Sequence, residues 1–231
     1  YPRGRILGGC SSINGMIYMR GQAADYEHWR QLGNENWGWD DVLPYFKKSE
    51  DHYAGGDDMH GSGGEWRVEE QRLSWDILDK FRAACIAAGI PAIDDFNRGN
   101  NEGVGYFQVN QRRGWRWSSS KAFLAPARGR KNLTVLTGAT AQKIVLTGLK
   151  VAGLQFHHHN RVALAGCRRE VILCSGAIGT PQLLQLSGIG APELLQSNGI
   201  AVRHNLPGVG QNLQDHLQIR TIYKVKNVRT L

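Results

Sequence analysis

No apolar run in this chain approaches the ~20 residues that a bilayer-spanning helix requires. Runs such as Val171 to Cys174 are only a few residues long, which excludes a transmembrane helix. Tyr1-Pro2-Arg3-Gly4 has neither the basic start nor the apolar core of a signal peptide. Cysteine is scarce and unpaired. Cys10, Cys85, Cys167 and Cys174 contain no Cys-x-x-Cys spacing, so no metal centre is expected, and separate reduced thiols suit a cytoplasmic protein. A complete dinucleotide fingerprint is also missing. Gly103-Val104-Gly105, Gly188-Ile189-Gly190 and Gly208-Val209-Gly210 each lack the third glycine, and alone each is more often a turn than a nucleotide site. Internal repeats and low-complexity tracts are absent, so the chain is not a solenoid or a string of linkers.

The 231 residues, 41% hydrophobic and 21% charged, describe a globular chain long enough for a substantial core. A net charge of +8 invites a polyanion partner. However, Arg112-Arg113, Arg128 to Lys131 and Arg168-Arg169 are separate groups broken by Gly, Trp and Glu. No basic stripe, zinc knuckle or aromatic RNA-binding motif accompanies them, and no nucleic-acid partner is expected. The 29 glycines are clustered rather than periodic, which marks places where backbone approaches something closely.

Three textures follow one another. The start, Gly4 to about Arg20, is small and glycine-rich. From Ala23 to about Gly89 the chain is aromatic and helical: Asp25 to Leu32 puts Tyr26, Trp29 and Leu32 on one face before Gly33. Asp40 is a candidate cap for a helix carrying Val42, Leu43 and Phe46, with Pro44 tolerated in its first turn. Ser74 is the candidate cap of a third, in which Ile77, Leu78, Phe81, Ala84, Cys85 and Ala88 recur at helical spacing. Beyond Arg130 strands are expected over Leu133 to Thr137, Lys143 to Leu146, Val151 to Phe156 and Val162 to Ala165, which together read as a β-meander. A buried strand, Glu170 to Cys174, is then expected to turn at Ser175-Gly176-Ala177 into a helix opened by Thr180-Pro181. The fold class is α/β (α+β).

Two segments have the chemistry of a ligand site. In Gly4-Arg5-Ile6-Leu7-Gly8-Gly9-Cys10-Ser11-Ser12-Ile13-Asn14-Gly15 paired glycines precede small hydroxylated residues and an amide. Backbone N–H groups there can reach an anion, with Ser and Asn side chains beside them. The second is the strand-to-helix turn from Cys174 through Gly190. The alternative for both is a plain glycine bend between core segments. Two such elements far apart in sequence suit an extended ligand, larger than one phosphate.

The order Gly-Arg-x-Leu-Gly-Gly-x-Ser-Ser-x-Asn in Gly4 to Gly21, and Thr-Pro-Gln-Leu-Leu-x-Leu-Ser-Gly-Ile-Gly in Ser175 to Gly190, resemble the two signature motifs of the glucose-methanol-choline (GMC) oxidoreductases. Gly38 to Phe46 and Pro207 to His216 resemble its choline-dehydrogenase-like branch, so the similarity spans nearly the whole chain. The resemblance implies an FAD enzyme oxidising a small alcohol by hydride transfer to the flavin; the alternatives are a lyase-type member of the same flavin family and a non-catalytic fragment or binding domain. By motif, Leu7, Gly8 and Gly9 would lie along FAD, and Asn14, Gly15, Met16 and Ile17 beside its isoalloxazine ring. Ala141 stands where family members read the adenine through backbone groups, and Ser175 and Gly176 match the second cofactor turn. Some family members bind FAD covalently through a His at the position of Ile13, so here FAD is expected to be non-covalent. The implied organisation is an FAD-covering segment (residues 1–40), a cap and substrate segment (41–130) and a return to the FAD-binding domain with the meander (131–231).

The family's βαβ unit, with its fingerprint and ribose-binding acid, would precede Tyr1, and its catalytic His with a His or Asn partner would follow Leu231. No catalytic residue is therefore assigned within the chain, which is expected to be an incomplete part of the fold and to retain little FAD alone. His157-His158-His159 reads as a solvated hairpin turn, because no partner is spaced for a metal site. His216, beside Asp215, reads as a structural pair.

Overall fold

The computed structural model describes residues 1–228. The chain divides into two compact units, one formed by residues 1–133 with the stretch from Tyr223 onward, the other by residues 134–222.

In the first unit, α1 (Ala23–Gln31) and α2 (Trp39–Ser49) pack through aromatic rings. Tyr26 is the hub, 5.5 Å from Trp29, 5.7 Å from Trp39 and 5.9 Å from Phe46 between centroids, distances at which edge-on and tilted pairs attract. The cap of α2 is Gly38 rather than Asp40, and the Asp41 carboxylate accepts the Gly38 N–H at 3.1 Å. Asp40 and Asp41 then sit in the first turn and Lys47 and Lys48 in the last, matching the helix dipole at both ends. Pro44 therefore lies two residues further in than expected, in the second turn and not the first. The strand β1 (Glu50–His52) leaves α2 directly and pairs in parallel with β2 (Trp66–Glu70). Next comes α3 (Asp76–Ala87), capped at Trp75 and not at Ser74. It ends before Gly89, whose φ of +93° is a conformation that favours glycine. The short strand β3 (Gln108–Val109) adds antiparallel to β2, and β4 (Gln111–Arg112) with β5 (Trp115–Arg116) forms a hairpin. A π-helical turn over Ser120–Leu124 runs into α4 (Ala125–Ala127).

The second unit is built on the expected meander: β6 (Thr140–Thr147), β7 (Lys150–His158) and β8 (Arg161–Gly166), antiparallel in that order. His159 and Asn160 form the β7–β8 turn at positive φ, so the His tract is a hairpin end, as its polarity suggested. Neither Leu133 to Thr137 nor Glu170 to Cys174 is a strand. Both are short apolar runs, and among the described residues neither has the neighbour that a strand requires. The helix α5 (Gly176–Leu186) begins four residues before Thr180, placing Pro181 inside it. It packs on β6 through Ser187, which accepts the Ile144 N–H (2.8 Å) and donates to the Leu183 carbonyl (2.6 Å). A parallel pair, β9 (Ile189–Gly190) and β10 (His204–Asn205), flanks α6 (Pro192–Ser197). Buried Ile144, Leu183, Leu195 and Val209 form the core.

Candidate functional site

The glycine-rich start is a loop wound around its own hydroxyls. Residues Gly9–Ser12 form a 3-10 turn. Ser12 Oγ donates to the Leu7 carbonyl (2.9 Å), and Ser11 Oγ (2.5 Å) and Ser119 Oγ (3.1 Å) donate to that of Gly8. Gly8 has φ +90°, and a Cβ there would stand 2.4 Å from Ser12 Oγ, so only glycine fits. The serines of this motif therefore fold the loop; they are not free ligand donors.

The edge that follows is different. Asn14 and Gly15 are exposed, as is Ile17, and Met16 is half-buried. At Gly15 nothing stands within 4 Å of the place a Cβ would take. Asn14 Oδ1 accepts from the Met16 N–H (3.0 Å) and from Arg116 Nη1 (2.9 Å), and the same Arg116 nitrogen donates to the Ser11 carbonyl (3.1 Å). Met16 is held at φ +64°, uncommon for a residue with a side chain. The chain then runs beside β3: the Asn110 N–H donates to the Met16 carbonyl (2.7 Å), Ile17 bridges Val109, and the Tyr18 N–H donates to the Gln108 carbonyl (2.9 Å). Asn14 to Ile17 thus forms a firmly held, open wall.

Behind that wall lies a cluster that the sequence did not reveal. Glu50, His60 and Arg20 are buried together, with Arg20 Nη2 2.7 Å from Glu50 Oε2. His60 Nδ1 is 3.2 Å from both Glu50 oxygens, and Nε2 is 2.7 Å from Asp95 Oδ2. The signal available was the cluster Gly61 to Gly64. A Cβ at Gly61 would lie 1.8 Å from the Lys47 carbonyl oxygen, and one at Gly64 2.4 Å from Ser49. These glycines let the loop close on the end of α2, which brings His60 to Glu50. Burial opposes a charge on His60, but hydrogen bonds and charge from Asp95 and Glu50 outweigh it and raise its pKa to about 9. Burial likewise acts to raise Glu50, and the bonds from His60 and Gly61 together with Arg20 carry it below the ordinary value. His52 is pushed down by burial and then by the His60 charge, so it stays neutral.

One ligand atom each from His52, His60 and Asp95 lies within 4.8 Å of the others. The ring geometry does not suit a shared ion. A metal sits in the plane of each ligating imidazole at ~2.0 Å, whereas His52 and His60 are stacked, 3.9 Å apart and inclined by only 23°. Both nitrogens of His60 already face carboxylates, so the arrangement is a buried ion cluster.

Of the other assigned residues, Ala141 is exposed on β6, and Ser175 precedes α5 with Gly176 opening it at φ +83°. They belong to the second unit, whereas Leu7, Gly8, Gly9 and Asn14 to Ile17 belong to the first. His216 is exposed, its backbone N–H donating to Asp215 Oδ1 at 3.0 Å. All four cysteines are free. No helix among the described residues is long and apolar enough to cross a membrane.

The first unit thus carries a glycine-serine loop feeding an open wall, and the second carries a three-stranded meander and a glycine-opened helix. The GMC oxidoreductase family model matches residues 1–218, and the chain belongs to that family. It is 42% identical over its whole length to an oxygen-dependent choline dehydrogenase of Photobacterium profundum, covering 41% of that protein. It is 43% identical, again over all of the chain, to an alcohol dehydrogenase [acceptor] of Pseudomonas putida, covering 42% of it. The chain thus spans about two fifths of these relatives. Among solved structures, pyridoxine 4-oxidase from Mesorbium loti superposes with a TM-score of 0.86 at 37% identity, over 93% of the chain and 42% of the oxidase. An FAD-dependent oxidoreductase from Chaetomium thermophilum gives 0.87 at 31% identity, over 92% of the chain and 39% of its own.

Proposed function

We propose that this chain supplies cofactor and substrate walls of an FAD-dependent enzyme that oxidises a small alcohol, choline-like in class. The observation that carries the reading is the open wall Asn14 to Ile17. Its backbone is fixed by Asn14 Oδ1, Arg116 and β3, while Asn14, Gly15 and the half-exposed Ile17 remain available to a ligand. A polar amide, a glycine with open space over it and two apolar side chains suit one edge of a planar heteroaromatic ring. FAD, when bound, supplies the acceptor for the hydride of an alcohol. In this proposal Leu7, Gly8 and Gly9 line the path of the cofactor, and Ala141, Ser175 and Gly176 enter on motif correspondence alone. Ile13 is half-exposed and has no nucleophilic atom, which supports non-covalent binding. Four unpaired thiols support a cytoplasmic setting.

No residue of the chain is proposed as the catalytic base. A base must come within hydrogen-bond reach of the substrate hydroxyl, and His216 is read as a structural neighbour of Asp215, whose Oδ1 accepts its backbone N–H at 3.0 Å.

The test is hydrogen exchange on the chain with FAD in excess. Slower exchange confined to residues 7–17, 141 and 175–176 is expected, with the flavin lost again on desalting. Unchanged exchange across residues 7–17 sinks the reading. Anaerobic mixing of the FAD-loaded chain with choline and primary alcohols is expected to leave the flavin oxidised. Flavin reduction that disappears in His216→Ala would place the base within the chain.

A further inference from the structure

His60 faces a carboxylate from each ring nitrogen, Glu50 on Nδ1 and Asp95 on Nε2. An ionised carboxylate only accepts hydrogen bonds, so both nitrogens must donate, and the ring is an imidazolium. Two routes lead from that ring to the segment that ends the wall. Along the first, Glu50 Oε2 takes Arg20 Nη2 at 2.7 Å, and the same guanidinium donates to the Met59 carbonyl (2.6 Å) and to the Tyr18 hydroxyl (3.1 Å). Along the second, Asp95 Oδ1 takes the Asn97 N–H (2.8 Å). Asn97 Oδ1 in turn takes the Arg20 N–H (2.8 Å), and Asn97 Nδ2 donates to the Tyr18 carbonyl (3.3 Å) and to Gln108 Oε1 (3.2 Å). The Arg20 side chain is therefore held by Glu50, which His60 contacts directly, and its backbone by Asn97, which is tied to His60 through Asp95, one residue beyond Met19 and four beyond Met16.

The geometry points to Glu50, His60 and Asp95 as positioning residues: the protonated His60 fixes the course of residues 16–20, and with it the placement of Met16 and Ile17 in the wall. This rests on the reading of Asn14 to Ile17 as a ligand-facing surface, and adds that the shape of that surface depends on one buried proton.

The groups facing His60 are few. Glu50 and neutral His52 come from β1, and Asp95 comes from the loop after α3, with Arg98 Nε 3.3 Å behind it. Asp57 Oδ1 accepts the His60 backbone N–H at 2.8 Å and is paired with Arg98. Tyr18 is kept neutral by burial, its pKa raised to about 12. His60 is thus the group that titrates on the alkaline side of neutrality, from an ordinary 6.5 when released to about 9 when held. Between those values opening of the segment removes a proton from the ring, so each pH unit favours the open form by up to about tenfold.

The experiment uses the whole chain with methyl-labelled methionine, whose three signals, Met16, Met19 and Met59, are assigned by single Met→Leu substitutions. The His60 ring proton and the Met16 methyl are followed together through alkaline pH, with protection of the Ile17 and Tyr18 amides read in parallel. Met16 is expected to shift with the same midpoint as His60, and amide protection to fall by up to about tenfold per pH unit below that midpoint. In His60→Gln the Met16 shift is expected to be flat. A Met16 signal that stays fixed while the wild-type His60 titrates overturns the proposal. So does a Met16 shift that persists unchanged in His60→Gln. If His60→Gln does not fold, the paired wild-type titrations decide. Added FAD separates the two readings. If FAD does not bind, the cofactor reading fails and the methyl titration still decides the positioning role. If it binds, visible circular dichroism of the flavin is expected to follow the His60 midpoint, and a flavin signal indifferent to it overturns the link to the wall.

Discussion

The two units bury different chemistry. In residues 134–222 the core is Ile144, Leu183, Leu195 and Val209, with Ser187 as its one buried polar residue. In the first unit Val68, Val109 and Ala122 share the interior with Arg20, Glu50, His52, His60, Asn97, Gln108, Asn110 and Ser118. Apolar burial is non-directional and tolerates small shifts at modest cost. Buried ions do not, because a charge that loses its partner retains its desolvation cost. A polar interior thus trades stability for a single geometry, and here that geometry lies next to the wall assigned to a ligand.

Substitutions in the two units can break or sharpen this contrast, and the chain offers a convenient probe. All seven tryptophans lie in residues 1–133, so tryptophan fluorescence reports the first unit, while hydrogen exchange in β6 and β7 reports the second. The largest effect is expected from Glu50→Ala, which leaves Arg20 and His60 buried without their shared carboxylate. A loss of about 3–5 kcal/mol is expected in the urea transition followed by fluorescence. A loss below about 1 kcal/mol, the level of a single ordinary hydrogen bond, would show that the cluster is not rigidly coupled.

Leu195→Ala, at a residue 1% exposed, removes apolar contact and leaves a cavity, at a cost of about 3 kcal/mol. The loss is expected in the exchange of β6 and β7 and at the same size from neutral to alkaline pH. A pH-dependent loss there would erase the distinction between the units.

The third expectation is the pH dependence itself. His60 is raised from 6.5 to about 9, so its contribution is complete below about 6.5 and is lost as pH rises through about 9. The fluorescence transition is expected to weaken by up to about 1.4 kcal/mol per pH unit in that window. Glu50 and Asp95, both held below their ordinary values, contribute stability that is lost only as pH falls into the carboxylate range. A fluorescence transition as steady across the His60 window as that of the second unit would show that His60 is not charged in the fold.

Ser187→Ala is the smallest. It deprives the buried Ile144 N–H of its acceptor and is expected to cost about 1–3 kcal/mol, seen first as faster exchange at Ile144. Unchanged exchange there would mean that the serine does not tie α5 to β6.

The helices and the meander are legible in residue pattern. Tyr26 with Trp29, the run from Ile77 to Ala88, and the alternation along β6, β7 and β8 are local periodicities, and each segment carries enough of them to specify its own state. The caps of α2 and α3 fall two and one residues from the expected ones, because Gly38 and Trp75 serve where Asp40 and Ser74 have the better capping chemistry, while that of α5 is Ser175, five residues before Thr180. The runs Leu133 to Thr137 and Glu170 to Cys174 are not strands for a different reason: a strand exists only with a neighbour, and pattern does not supply one.

By itself the sequence determined the family, through two motifs whose glycines and small residues allow close backbone approach, and it determined the helices α1, α2 and α3 and the meander β6 to β8. Only the tertiary structure decided what those motifs' side chains do. Ser11 and Ser12, which looked like ligand donors, close their own loop onto the carbonyls of Gly8 and Leu7, while the open surface lies further on, at Asn14 to Ile17. It also decided that Arg20, Glu50, His60 and Asp95, up to 75 positions apart in sequence, share one buried site. No periodicity records such a meeting, since it depends on Gly61 and Gly64 letting one loop close against the end of α2. Charge at long sequence separation acquires meaning only when burial removes the water that would otherwise screen it.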